Sequence, residues 1–400
     1  MGLNNTPSSE RIHIGIFGKR NAGKSSLINA ITGQNLAVVS DVAGTTTDPV
    51  SKAMELLPLG PVLFIDTPGL DDVGELGEMR VAKSYQAMNK TDIALLAVDS
   101  TNGFGNDELT VIKRLNEKNI PFIIVITKSD KANKVDIPTE YKEKTISVSS
   151  KTGENINELK ELIAKLRPTG ENPNRIVADL LQPNDFVVLV VPIDSAAPKG
   201  RLILPQQQTI RDILDSSAVS IVTRDTELEA TLKNLGQSPK LVITDSQAFG
   251  KVSKIVPEYI PLTSFSILFA RYKGNLQTVV NGARALETLI DGDKILISEG
   301  CTHHRQCEDI GTVKLPKWIE EYTGKKFDFK FTSGTEFPVD LSPYKLIVHC
   351  GGCTLNEREM KYRLRCANEQ NIPITNYGIL ISYMQKILMR CINVFPEFSN

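Results

Sequence analysis

The chain has 400 residues, 41% hydrophobic and 23% charged, with 46 Lys+Arg against 47 Asp+Glu and a formal net charge of −1. That length exceeds one ordinary core and suits two or three domains. The even charge argues against a dedicated nucleic-acid binder, which carries a basic excess. No run approaches the roughly 20 apolar residues of a membrane span. The opening MGLNNTPSSERIH lacks the order of a signal peptide, so no membrane and a cytoplasmic location with reduced thiols are expected.

RIHIGIFG at 11–18 reads as a buried strand. It runs into GKRNAGKSSLINAIT, which fits G-x-x-x-x-G-K-S from Gly18 to Ser25. Gly18 and Gly23 permit the tight wrap that turns backbone N–H groups toward a phosphate, with Asn21, Ala22 and Ser26 in the same wrap. Lys24 reaches the β/γ-phosphates, the Ser25 hydroxyl ligates Mg²⁺, and the helix opening at Lys24 adds its positive end. VLFIDTPG at 62–69 then puts Asp66 at a strand end, where an acid holds Mg²⁺ through water, and Gly69 where an N–H senses the γ-phosphate. Leu70 follows where Ras-like proteins place a water-orienting glutamine, so intrinsic hydrolysis is expected to be slow. Glu75 and Glu78, in DDVGELGEMR, are the candidates for a water-orienting acid, and read first as solvated loop acids. FIIVITKSD at 122–130 is a further strand ending in Thr127, Lys128, Ser129 and Asp130, and ISVSSKTGENI at 146–156 brings Ser149, Ser150 and Lys151.

These stretches, in this order, resemble the TrmE–Era subgroup of P-loop GTPases. The resemblance implies guanine reading by Asp130 with the Lys128 stem on the base, and Ser149, Ser150 and Lys151 beside it. Thr127 stands where the family has asparagine, which removes one fixing contact. AGTTTDP at 43–49 resembles the first switch loop, which puts Thr46 on Mg²⁺ and leaves Thr47 in place of an arginine. Asn21 matches the asparagine that binds K⁺ in that subgroup. The implied catalytic set is Lys24, Ser25, Thr46, Asp66 and Gly69, acting on GTP with Mg²⁺ and stimulated by K⁺.

LRPTGENPNR at 166–175 reads as a linker. Beyond it, apolar and helical runs alternate: DFVVLVVPID, QQTIRDILDS, SAVSIVTR, TELEATLKNLG, KLVITDS and QAFGKVSKIV. Such alternation predicts a small parallel α/β domain. No acid–base pair stands out there; Asp185, Asp194 and Asp245 read as loop or cap residues, and a role in dimerisation is expected. A long helical pattern covers 269–290, then DKILISEG, a helix at 313–323, KFDFKFTSG and YKLIVHCGGC follow. The expected fold is α/β: a P-loop GTPase domain at 8–170, then two smaller parallel α/β domains at 175–265 and 268–400.

Of six cysteines and four histidines, CTHHRQC at 301–307 and HCGGC at 349–353 hold most. Each patch follows a strand, and loops at the carboxyl ends of parallel strands converge. Cys301, Cys350 and Cys353 offer three thiolates, suited to an iron–sulfur cluster or to zinc; His303 and His349 fit a tetrahedral zinc site as well. His304 and Cys307 fall outside the pattern. Cys366 and Cys391 read as packing residues, His13 as a satisfied strand residue, and Phe395 and Phe398 as a tail packed on the sheet.

Cys301-Thr302-His303 followed by His349-Cys350-Gly351-Gly352-Cys353 fits C-x-H-x(n)-H-C-x-x-C. Joined to the GTPase stretches, it resembles the HydF family, the GTPases that mature [FeFe]-hydrogenase. That resemblance implies a [4Fe–4S] cluster on Cys301, Cys350 and Cys353, with His303 and His349 as fourth ligand or in support behind the ligands. It implies a scaffold that receives a transient di-iron precursor from the radical-SAM maturases HydE and HydG and delivers it to the apo-hydrogenase, as a homodimer or higher oligomer. An RNA- or ribosome-associated GTPase with a structural zinc domain is the alternative. A thiol redox enzyme is a third reading, and it requires cysteines of depressed pKa.

Overall fold

The computed structural model describes residues 6–33, 49–71, 74–131, 135–167, 175–192, 202–300, 310–334 and 336–398. The chain divides into two compact units, Met1–Glu171 and Asn172–Asn400.

The first unit runs β1 (Ile12–Gly18), α1 (Lys24–Thr32), β2 (Val50–Leu56), β3 (Gly60–Asp66), α2 (Glu75–Met88), β4 (Ile93–Asp99), α3 (Asn106–Glu117), β5 (Phe122–Thr127), β6 (Thr145–Ser147) and α4 (Ile156–Lys165). Among the described residues these strands form one six-stranded sheet in the order β2-β3-β1-β4-β5-β6. Only β2 is antiparallel to its neighbour. IALLAVD in β4 and FIIVIT in β5 are buried throughout, as expected of parallel strands covered on both faces. Two buried clusters line the faces, one around Ile14, Leu27 and Val125, the other around Phe17, Leu96 and Ile124. The chain order reverses at β1 and β3, so their carboxyl ends, Gly18 and Asp66, border the crevice where such sheets bind ligands.

The second unit runs β7 (Phe186–Val190), α5 (Leu204–Asp215), β8 (Val219–Thr223), α6 (Leu228–Asn234), β9 (Leu241–Thr244), α7 (Phe249–Ile255), β10 (Leu262–Ser264), α8 (Phe265–Lys273), α9 (Leu276–Ala283), β11 (Lys294–Ser298), α10 (Leu315–Thr323), β12 (Asp328–Thr332), β13 (Leu346–His349), α11 (Glu357–Glu369), β14 (Ile374–Asn376), α12 (Tyr377–Met384) and α13 (Leu388–Ile392). Two four-stranded parallel sheets result, β10-β9-β7-β8 and β12-β11-β13-β14. One buried cluster extends from Ile176 to Phe395 through both.

The helical pattern over 269–290 is not one helix. The backbone extends at Gly274, and Asn275 caps α9 by accepting from the Thr278 N–H at 2.9 Å. A short polar side chain that satisfies an orphan amide starts a new helix there. The expected domain junction at 265–268 thus falls in the first turn of α8. Glu75 and Glu78 lie on α2 rather than in a loop. Short strands β10 and β14 each run directly into a helix and were not anticipated. The carboxyl tail folds as α12 and α13, with Phe395 fully buried.

Candidate functional site: a nucleotide cleft and a two-cysteine turn

The first turn of the cleft is built on close backbone approach. Gly18 has φ +149°, and a Cβ there would sit 2.3 Å from the Ala97 carbonyl oxygen, so β4 accepts no side chain at that position. Asn21 and Gly23 also take left-handed backbone, and α1 begins at Lys24, directly after the turn, with no side-chain cap. The buried Lys24 ammonium donates to the carbonyls of Gly18 at 3.0 Å and Lys19 at 2.7 Å. Lys19 itself pairs with Asp107 and Glu108 of α3 at 3.1 and 3.3 Å.

Ser25 Oγ donates to Asp66 Oδ2 at 2.7 Å. Burial pushes the Asp66 carboxyl up, and the Ser25 hydroxyl and the Lys24 charge offset part of that. Its Oδ1 is buried without a hydrogen-bond partner among the described residues. A hydroxyl beside a carboxylate with an orphaned oxygen is a hard oxygen donor set, which fits Mg²⁺. Beyond Asp66, Thr67 Oγ1 ties back to the Ile16 carbonyl at 2.6 Å. Gly69 lies against the first turn, where a Cβ would meet the Arg20 backbone N at 3.0 Å, and the Leu70 N–H donates to the Gly18 carbonyl at 3.3 Å.

The far side of the cleft comes from the ends of β5 and β6. Thr127 Oγ1 lies 2.8 Å from the Ala22 carbonyl, a direct tie between β5 and the first turn. The Lys128 ammonium bridges the Asn21 carbonyl at 2.8 Å and Asp99 Oδ2 at 2.6 Å. Burial works to raise the Asp99 carboxyl, but hydrogen bonds from Lys128 and Thr101 outweigh it and hold it below the usual range. Ser149 donates to the exposed Asp130 carboxylate at 2.7 Å and holds it low as well. Ser150 is half-buried and Lys151 exposed beside them. Of the residues expected at this cleft, Gly18, Asn21, Ala22, Gly23, Lys24, Ser25, Ser26, Asp66, Gly69, Thr127, Lys128, Asp130, Ser149, Ser150 and Lys151 are described. Thr46 lies outside the described residues. Asp99 was missed; its one sequence signal is its place at the end of an apolar strand.

The second site sits at the tip of β13. His349 ends the strand and pairs in register with Ser298 of β11. Cys350 and Cys353 are half-buried as residues. Burial pushes the Cys350 thiol up to about 11, against N–H donation to its Sγ from Gly300 at 3.0 Å and Gly352 at 3.4 Å. Burial raises Cys353 too, and the Lys273 charge works against it. Raised thiols are poor nucleophiles at neutral pH, which counts against the thiol redox reading. Thr354 Oγ1 donates to the Gly300 carbonyl at 2.7 Å, so both peptide groups of Gly300 are fastened to this turn. Gly352 has φ +64°, and a Cβ there would lie 2.6 Å from Met360 Sδ.

Cys301 and His303, with His304 and Cys307, lie outside the described residues; among the described residues no group of three metal-ligating side chains converges. The donor chemistry at Cys350 and Cys353, two soft sulfurs taking amide N–H bonds, fits a thiolate-held cluster. His349 is buried, with Nδ1 2.7 Å from the Cys350 carbonyl and Nε2 2.9 Å from the Arg363 guanidinium. Cys391 is buried and Cys366 half-buried on α11; His13 is buried in β1, its Nδ1 2.9 Å from the Arg11 carbonyl. Among the described residues no helix is long and apolar enough to cross a membrane.

A mostly parallel sheet with its phosphate turn after the first strand, an acid at the end of the third and a carboxylate after the fifth fits a P-loop GTPase. Residues 13–128 match the family model "50S ribosome-binding GTPase". Residues 176–274 match "Hydrogen maturase F dimerization domain" and 277–394 match "Hydrogen maturase F tetramerization domain". The chain belongs to the hydrogen maturase F family, HydF. Its GTPase half is also similar to the tRNA modification GTPase MnmE of Endomicrobium trichonymphae, 33% identical over 46% of this chain and 41% of that protein. GTPase Der of Wolinella succinogenes is 35% identical over 39% and 36%. The chain therefore spans less than half the length of these curated relatives. Among solved structures, Era of Aquifex aeolicus bound to GDP and AlF4⁻ aligns at TM-score 0.35 and 22% identity, over 53% of this chain and 92% of that one.

Proposed function

We propose that this chain is a GTP-hydrolysing iron–sulfur scaffold of hydrogenase maturation. The observation that carries the reading is the turn after β13. Two thiols stand there with Gly300 hydrogen-bonded to one of them, and Cys301 is joined to Gly300 by a single peptide bond. Cys301, Cys350 and Cys353 would hold the [4Fe–4S] cluster, which supplies an iron site with room for an exchangeable ligand. His349, with both ring nitrogens engaged, serves as support behind the ligands, and His303 remains a candidate for either role. The di-iron precursor is cargo, received from HydE and HydG and handed to the apo-hydrogenase.

At the other site Ser25, Thr46 and Asp66 hold Mg²⁺, Asn21 binds K⁺, and Asp130 reads guanine. The work of hydrolysis is to change partner affinity through the loops that meet the γ-phosphate. The names of the two matched HydF domains support a homo-oligomer, and a cytoplasmic location belongs to the same reading. The test is anaerobic reconstitution of the full chain with iron and sulfide, followed by absorbance and metal analysis. A broad band near ~400 nm with stoichiometric iron and sulfide is expected, and its loss in Cys350→Ser. A colourless zinc protein, or Cys350→Ser with undiminished iron, overturns the reading.

A further inference from the structure

Lys273 is the last residue of α8, a position where a lysine is ordinarily solvated, yet it is only 2% exposed. Its ammonium lies 3.2 Å from the Gly352 carbonyl oxygen, 3.0 Å from that of Cys353 and 2.7 Å from that of Leu355. An ammonium has three N–H donors, and three carbonyls converge on this one. Removing a cation from water costs several kcal/mol unless hydrogen bonds replace the solvent. The turn after Cys350 is wrapped so that its carbonyls do so. These three contacts fasten the ammonium of α8 to the backbone of the Cys350–Cys353 turn.

We infer that Lys273 is a positioning residue for the metal centre, shaping the Cys350–Cys353 turn from beneath and setting the cluster's reduction potential by its charge. This rests on the cluster reading above. Three thiolates and an added electron make the reduced centre more anionic, and a fixed buried cation favours that form. The residue also belongs to the segment matched by the dimerization model, while the carbonyls it holds belong to the tetramerization model.

The experiment compares reconstituted full-length protein with Lys273→Met and Lys273→Arg. Iron and sulfide are counted, the cluster is titrated with dithionite under EPR, and iron release to a chelator is timed. Lys273→Met is expected to lower the midpoint potential, and the shift should persist at high salt because a buried charge is poorly screened. Lys273→Arg keeps the charge but places planar donors where three carbonyls converge on a point. Its midpoint should stay near that of the parent while iron release becomes severalfold faster. A Lys273→Met protein with parental iron content and parental midpoint overturns the inference. Should that variant fail to fold, parental release kinetics in Lys273→Arg overturn it instead. Loss of the cluster reading shows separately, as iron retained in Cys350→Ser.

Discussion

Arg363 donates from Nη1 to His349 Nε2 at 2.9 Å. A guanidinium only donates, so Nε2 is the acceptor and Nδ1 carries the proton it gives to the Cys350 carbonyl at 2.7 Å. The imidazole is thereby neutral, in one tautomer and one orientation. The same guanidinium reaches Ser298 Oγ at 3.2 Å, Glu359 Oε1 at 3.0 Å and the Gly334 carbonyl at 2.6 Å. One fully buried side chain thus ties the ends of β11 and β13, the segment after β12 and helix α11 beneath the cysteine turn.

Arg363→Leu removes one partner of a buried ion pair and strands the Glu359 carboxylate, which costs about 3–5 kcal/mol. The chain has a single tryptophan, Trp318 on α10 in the second unit. Denaturant unfolding followed by its emission therefore reports this unit. The midpoint should fall clearly in Arg363→Leu and recover in large part when Glu359→Leu is added. Equal midpoints for Arg363→Leu and the parent chain would show that the network bears no load.

At the other site, Ser149→Ala removes the donor that orients Asp130. The carboxyl then rises toward its ordinary value, which still leaves it ionised at neutral pH. The loss at pH 7 is therefore one of orientation, read as a weakening of GDP binding. The sign of the pH effect follows. Under the proposed guanine reading, the ionised Asp130 carboxylate is the acceptor, so its contribution is lost as pH falls through its pKa. The acid limb of binding should lie at higher pH in Ser149→Ala than in the parent, with both flat above about pH 6. Titration of a fluorescent GDP across pH measures both, and an unchanged affinity in the variant sinks the proposed orientation.

Much of this was readable from residue order. The phosphate turn, Asp66 and the β5 signature lie at strand ends, where short apolar runs and glycine mark position without tertiary knowledge. The helix break at Gly274 was less legible because Asn275 reads equally as a helix-surface residue until its cap bond is seen. Arg363 was illegible for a sharper reason. Helix α11 carries three ion pairs at i,i+4: Glu357–Lys361, Glu359–Arg363 and Arg365–Glu369. The spacing is identical, yet only the middle pair is buried, since only its face meets β11 and β13. Lys273 is the same case, for nothing in FARYKG says that three distant carbonyls will take the place of water.

Thr127→Val tests the residue that departs from the guanine signature. Valine keeps the shape but leaves the Ala22 carbonyl without the donor it has at 2.8 Å, a buried loss of about 1–3 kcal/mol. Because Ala22 lies in the phosphate turn, GDP binding should weaken along with the thermal stability of the first unit. Unaltered affinity and melting would mean that Thr127 fills space and no more.

Lys24→Ala and Cys350→Ser separate the two sites. Lys24 lies on the phosphate turn of one compact unit and Cys350 on the sheet tip of the other. Each substitution removes a group with local partners: the Gly18 and Lys19 carbonyls for Lys24, the Gly300 and Gly352 amides for Cys350. Lys24→Ala should weaken GTP binding at least tenfold, the loss of a charge-assisted contact worth about 1.5–3 kcal/mol, with iron content near that of the parent. Cys350→Ser should keep nucleotide affinity and lose iron. Paired nucleotide titration and metal analysis on both variants decide it, and a Lys24→Ala protein stripped of iron would mean that nucleotide and cluster are bound as one coupled unit.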